Sequence, residues 1–155
     1  MNPVHFDPVA VVHNSRQSTA DFAWGPVESV IEMLPGFAEG LEGIDTFSHV
    51  IVIFHLDRED DEESPTLRRR PRGRADMPLL GVFAQRGRMR PNRIGITTVP
   101  IVRVEPNRLT VRGLDAIDGT PVLDLKPYMP AFDHIETPRV PAWVDRLMKG
   151  YFDEE

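Results

Sequence analysis

The residues best equipped for chemistry crowd into "RGLDAIDGTPVLDLKPYMP", Arg112 to Pro130. Three acids, a lysine and a tyrosine stand there among two glycines and three prolines. Carboxylates such as Asp115 and Asp118 accept hydrogen bonds from a ribose or an amine, and can take up a proton. The pair Asp118–Gly119, set between apolar residues, is also a strong hairpin signal, because a type I′ turn requires positive φ. Two readings therefore stand side by side: a turn, or a turn whose edge is presented to a ligand. Two acids exceed what the turn alone needs. Lys126 and Tyr128, two apart, share one face of an extended chain.

A second group lies in "GVFAQRGRMRPNRIGIT", Gly81 to Thr97, where Arg86, Arg88, Arg90 and Arg93 leave one end of an apolar segment. Guanidinium groups in such number suit a carboxylate or phosphate. The plainer alternative is a solvated basic turn opened by "RPN". These arginines belong to a wider island. From Ser64 to Arg93 the chain carries nine arginines and one acid, Asp76, within a protein of net charge −6. The island either meets an anionic partner or neutralises the acidic run Asp57–Glu63 before it. His49 and His55 sit six apart on a strong strand pattern, about 20 Å at ~3.3 Å per residue, so they cannot grip one ion. No metal site is read. His55, where the apolar run meets charged residues, is the better ligand-facing candidate of the two.

Those side chains must be held by strands. "VAVVH" (Val9–His13), "VESVIEML" (Val27–Leu34) and "SHVIVIFHL" (Ser48–Leu56) are β-branched and apolar, the last so continuously that burial on both faces is expected. "FAEGLEGI" offers one or two helical turns, and Asp57 to Ala75 reads as a long loop. Strands are then expected over Leu79–Gln85, Ile94–Glu105, Arg108–Asp115 and Thr120–Lys126. This spacing predicts a mainly β protein, an antiparallel barrel or sandwich. Trp143, Leu147 and Tyr151 recur at helical spacing and predict a short C-terminal amphipathic helix.

The bulk properties narrow the class. The 155 residues form one domain, 1–155, with 41% hydrophobic and 27% charged residues. The absence of cysteine excludes disulfides and thiolate chemistry and favours a reducing compartment. No apolar run reaches the roughly 20 residues of a membrane-spanning helix. The N-terminus lacks a signal-peptide pattern, which gives a cytoplasmic expectation. "GFAEGLEG" lacks the G-x-G-x-x-G spacing, so a Rossmann-type nucleotide site is not expected.

Three blocks, "GIDTFSHVIVIFH", "GVFAQRGRMRPNRIGIT" and "LDAIDGTPVLDLKPYMP", closely resemble in order and spacing the motifs of the TrmO/TsaA-like (YaeB-like) family, over about Val9 to Met129. The resemblance implies a compact antiparallel β-barrel with small helical additions, usually a homodimer. It also implies binding of S-adenosyl-L-methionine (SAM) without a Rossmann fold. Its further implication is methylation of N6 of threonylcarbamoyladenosine beside the anticodon of tRNA. Matched by motif, the donor-binding residues would be His55 and Leu56, Arg86, and Asp118, Gly119, Thr120 and Pro121. Arg90 and Asn92 match the RPN element and face either donor or acceptor. His55, Asp115 and Tyr128 are candidate bases. Arg68, Arg69, Arg70, Arg72 and Arg74 become candidates for tRNA phosphates. Two departures mark a shorter branch. The family's N-terminal Gln-Pro-Gly element is replaced by "RQSTADFAWGPVES", where Asp21, Trp24 and Gly25 are candidate substitutes, Trp24 as a stacking face or as plain packing. The family's C-terminal extension is not matched by "MKGYFDEE". Two alternatives remain open: a SAM-dependent enzyme of this fold acting on a small molecule or another RNA, and a non-enzymatic SAM-responsive module.

Overall fold

Among the described residues there are eight strands: β1 (Ala10–His13), β2 (Glu28–Met33), β3 (His49–His55), β4 (Arg68–Arg69), β5 (Leu80–Gly81), β6 (Ile94–Glu105), β7 (Arg108–Arg112) and β8 (Pro121–Pro127). They come from a computed structural model that describes residues 1–19, 22–58 and 66–153. Six of them close into an antiparallel barrel in the order β1-β2-β7-β6-β3-β8, and β4 pairs with β5 as a separate ribbon. Two short helices, α1 (Pro130–Asp133) and α2 (Trp143–Met148), follow the last strand. No helix among the described residues is long and apolar enough to cross a membrane. The mainly β, barrel-like expectation holds.

Alternation along the strands fills the interior, as a small barrel requires. Val50, Val52 and Phe54 of β3 are buried with Val99 of β6, Leu109 and Val111 of β7, Ile31 of β2, Val12 of β1 and Val122 of β8. The other face of β3 is more open, with His49 exposed and Ile53 and His55 half-buried. Burial on both faces, expected from its continuous apolar run, is thus only partial. Gly95 faces Phe54 across the β3–β6 ladder, and a Cβ there would stand 2.4 Å from the ring. Only glycine lets that ring lie flat on the neighbouring strand.

Several local expectations are corrected. Leu79–Gln85 forms no barrel strand. It gives the two-residue β5 and a 3-10 turn over Val82–Ala84. The Gln85 side-chain amide draws it inward by donating to the carbonyls of Arg69 (2.8 Å) and Leu80 (3.1 Å). The Asp57–Ala75 loop contains β4 and a 3-10 turn at Pro71–Gly73. The Asp118–Gly119 turn is not a hairpin, because β7 and β8 are not neighbours in the barrel. Only Gly119 has positive φ (83°), so a type I′ geometry is also absent. The helical face through Tyr151 ends early: α2 stops at Met148, and Gly150 at φ 76° turns the chain back.

The segment between β7 and β8 instead crosses one mouth of the barrel. Leu114, Ala116 and Ile117 are buried there as a plug. Asn14 fastens it. Its Nδ2 donates to the Ser29 hydroxyl (2.9 Å) and the Ala116 carbonyl (2.8 Å). Its Oδ1 accepts from the Arg16 amide (2.9 Å), and its own amide donates to Asp118 Oδ1 (3.1 Å). Asn14→Ala strands the fully buried Ser29 hydroxyl and the Ala116 carbonyl, and unsatisfied buried groups cost about 1–3 kcal/mol. Urea unfolding should show a loss of that size, with little change in denaturant slope.

Candidate functional site

The antiparallel register brings the three sequence blocks to this same mouth. His55 at the end of β3 pairs with Ile94 at the start of β6, and the Leu56 amide donates to the Arg93 carbonyl at 2.8 Å. On its other side β3 pairs with β8, with a bulge where Ile53 opposes Asp124 and Phe54 opposes Val122. Bulges bend a strand and re-aim its side chains, and this one lies just inside the mouth. Pro121 then pairs with Val11 of β1. Segments far apart in sequence thus share one rim.

The Asp118–Gly119 turn is built into the wall by its backbone. The Asp118 amide donates to the Arg16 carbonyl (2.8 Å), the Gly119 amide to Val12 (2.7 Å) and the Thr120 amide to Ile117 (3.2 Å). The Asp118 carboxylate accepts from the Asn14 amide and from Gln17 Nε2 (3.3 Å), with His13 Nδ1 at 3.7 Å. It therefore joins the end of β1 to the turn. The Asn14 amide, followed by the Gln17 side chain, holds this carboxyl below the usual Asp range against the effect of burial, with His13 and Arg58 pulling the same way. Gly119 is favoured by its φ of 83°, a conformation that L side chains rarely adopt.

A cleft opens between the plug and the end of β3. Leu56, Ala116 and Ile117 give it an apolar floor, Thr19 and Thr120 hydroxyl-bearing walls, and Asp57, Arg58, Arg88 and Asp115 its charges. Asp115 is held on both carboxylate oxygens. Its carboxylate accepts from the Thr97 hydroxyl, which points into the barrel mouth, and from Tyr151 Oη at 2.7 Å. Acidic and basic groups around an apolar floor suit a ligand that carries both signs of charge.

Of the residues singled out from sequence, Leu56, Asp115 and Thr120 line this cleft, and His55, Asp118, Gly119 and Pro121 adjoin it. Arg86 is turned aside, its guanidinium donating to the Ile96 carbonyl, and Arg88 rather than Arg86 is at the cleft. Arg90 braces its own loop by donating to the carbonyls of Gln85 (3.1 Å) and Gly87 (3.3 Å), while Asn92 is exposed in the turn. Tyr128 is not brought in. Its amide donates to the His49 carbonyl (3.1 Å) at the opposite end of β3, and the two rings meet edge-on at 6.3 Å. Trp24 is a packing residue, 2% exposed in a small cluster with Val27, Ile117 and Tyr151. Gly25 makes room for the C-terminal segment, and Asp21 lies outside the described residues. Of the five loop arginines, Arg68 and Arg69 lie on the ribbon. Arg70 donates to the Met77 carbonyl, Arg72 stacks on Tyr151 and Arg74 chelates Asp76 (2.7 and 3.0 Å). Most of the acidic run proposed as their counterweight lies outside the described residues.

Residues 16–134 match the family of the tRNA-methyltransferase O N-terminal domain. The chain belongs to the TrmO family. A Pyrococcus abyssi relative is 35% identical over 91% of this chain and 76% of its own length. An S-adenosyl-L-methionine-binding protein of Archaeoglobus fulgidus is 42% identical over 68% of this chain and 72% of its own length. A crystal structure of TrmO from Pseudomonas aeruginosa superposes with a TM-score of 0.74 at 29% identity, covering 92% of this chain and 62% of that one. This TrmO-family chain thus spans under two thirds of the solved TrmO.

Asp118 makes the site's attachment sensitive to acid. Because the folded chain keeps this carboxyl ionised to lower pH than the unfolded chain does, its contribution is complete above about pH 4 and drains away as pH falls through the depressed folded value. Acid unfolding followed by circular dichroism should therefore be less steep in Asp118→Ala than in wild type below about pH 4.

Proposed function

We propose that this chain is a SAM-dependent methyltransferase that methylates N6 of threonylcarbamoyladenosine beside the anticodon of tRNA. The observation that carries this reading is the mixed-charge cleft at the barrel mouth where all three family motifs converge. SAM carries an ammonium, a sulfonium and a carboxylate. The cleft's chemistry fits that set: Asp57 for the cationic groups, Arg88 and Arg58 for the carboxylate, and Leu56, Ala116 and Ile117 for the apolar parts. Bound there, SAM supplies an electrophilic methyl group.

The chain's own work is placement and proton handling. A carbamoylated N6 is a poor nucleophile until its proton leaves, and Asp115, held at the cleft wall by two hydroxyl donors, is the carboxylate to receive it. Walls built on strand ends would hold a bound donor and its acceptor in place, and placement is the main lever for a displacement of this kind. The ribbon arginines Arg68 and Arg69, which carry no ion pair among the described residues, extend the positive surface an RNA backbone requires.

Calorimetric titration with SAM tests the donor half. Arg88→Ala should weaken binding by about tenfold or more, the worth of one charge-assisted hydrogen bond. If Arg86→Ala alone weakens it, the donor carboxylate sits where the motif match places it and not in this cleft. No binding by folded wild type sinks the reading.

For the acceptor half, mass spectrometry of tRNA incubated with protein and SAM should show one added methyl on threonylcarbamoyladenosine. RNA affinity should fall with salt, and less steeply in Arg68→Ala/Arg69→Ala. Affinity insensitive to both changes points to a small-molecule acceptor.

A further inference from the structure

Asp115 is not held by the barrel alone. Thr97 of β6 occupies its Oδ1, but Oδ2 accepts from Tyr151, which lies beyond the end of α2 and outside residues 16–134 matched to the TrmO family. Tyr151 is itself clamped. The Trp24 amide donates to its carbonyl at 2.9 Å, and the Ala23 amide to that of Gly150 at 3.1 Å. A Cβ on Gly25 would stand 1.8 Å from the Phe152 carbonyl oxygen, so the terminal segment lies directly on that glycine. The ring packs on the Trp24 cluster, meets Phe152 edge-on at 4.8 Å, and carries the Arg72 guanidinium 5.1 Å from its centre. Backbone and ring are fixed, and the hydroxyl is aimed at one carboxylate oxygen.

We propose that Tyr151 is a positioning residue of the site, through which the C-terminal segment Gly150–Phe152 orients the Asp115 carboxylate toward the cleft. The inference rests on the methyltransferase reading, which makes Asp115 the proton acceptor. The final torsion of an aspartate is broad, so a single donor leaves the carboxylate free to swing. One hydroxyl on each oxygen fixes its plane at the cleft wall, and each oxygen keeps a lone pair for a further partner. Catalytic groups need this kind of support to stay within tenths of an ångström of their working geometry.

Tyr151→Phe removes the hydroxyl and keeps the ring, its packing and the backbone pairing. In steady-state kinetics with SAM and modified tRNA, kcat should fall about tenfold while KM for the methyl donor stays within about twofold. In Asp115→Ala the same change should cost nothing further, since a residue acting only through another is silent once that other is gone. Urea unfolding of the four proteins (wild type, each single variant and the double) gives a readout without turnover, in which the cost of losing the hydroxyl should vanish in the Asp115→Ala background. Unchanged kcat in Tyr151→Phe, or additive losses in either cycle, overturns the inference. If wild type neither binds SAM nor transfers methyl, the methyltransferase reading falls. The unfolding cycle then decides alone whether Tyr151 holds Asp115.

Discussion

The structure depends on the side chain of Asn14. An amide has two donor hydrogens and one carbonyl oxygen, and Asn14 spends all of them within its own neighbourhood, on β2, on the plug and on the chain that leaves β1. Its backbone adds a fourth tie, to Asp118. A barrel mouth is otherwise a place where strands end and carbonyls face water. Here the opening is covered by a segment with no regular structure, and such a segment stays buried only if its polar groups find partners. Asn14 supplies one of the decisive ones.

Once the plug is anchored, the cleft follows. The crossing segment must leave a seam against the end of β3, and that seam inherits Leu56 on one side and Asp115, Ala116 and Ile117 on the other. Its walls are strand ends and a doubly fastened turn, so its polar groups are held by the scaffold. The charged groups on it come from three segments, Arg88 standing on the loop before β6. Asp115 is fixed from inside the barrel by Thr97 and from outside by Tyr151, whereas Asp57 and Arg58 sit on the exposed exit from β3. A fixed acid at the wall beside exposed charges at the rim is a workable division for a site that must admit a ligand and then hold it.

Much of this was legible in the sequence. The bounds of β6, Ile94 to Glu105, follow directly from its alternation and its flanking "RPN" and "EPN" turns. The convergence of the three motif blocks was implied by family resemblance, and the register supplies its physical reason. The Asp-Gly pair misled because turn chemistry reports a reversal of direction, not which strand waits on the other side. The Leu79–Gln85 pattern misled because its pairing with β4 ends after Gly81 and the chain turns at Val82–Ala84, where the Gln85 amide bonds back onto the ribbon. Tyr151 was read into a helix by its spacing, and Gly150 broke the period one residue earlier. Asn14 and Thr97 carried no signal of their own, since a small polar residue in a β-branched run gains meaning only from what lies across the barrel.

The seam between β1 and β8 has a consequence for how the molecule comes to exist. Val11 and Pro121, more than a hundred residues apart, pair there and complete the ring of strands. Bringing such distant segments together carries a loop-closure entropy that only the finished contacts repay, and topologies rich in them assemble slowly. The ties from Asn14 to the plug and to Asp118 span that same seam. The plug that walls the cleft is therefore tied to the first strand only where β1 and β8 meet, so the site rests on a contact between the two ends of the barrel sequence.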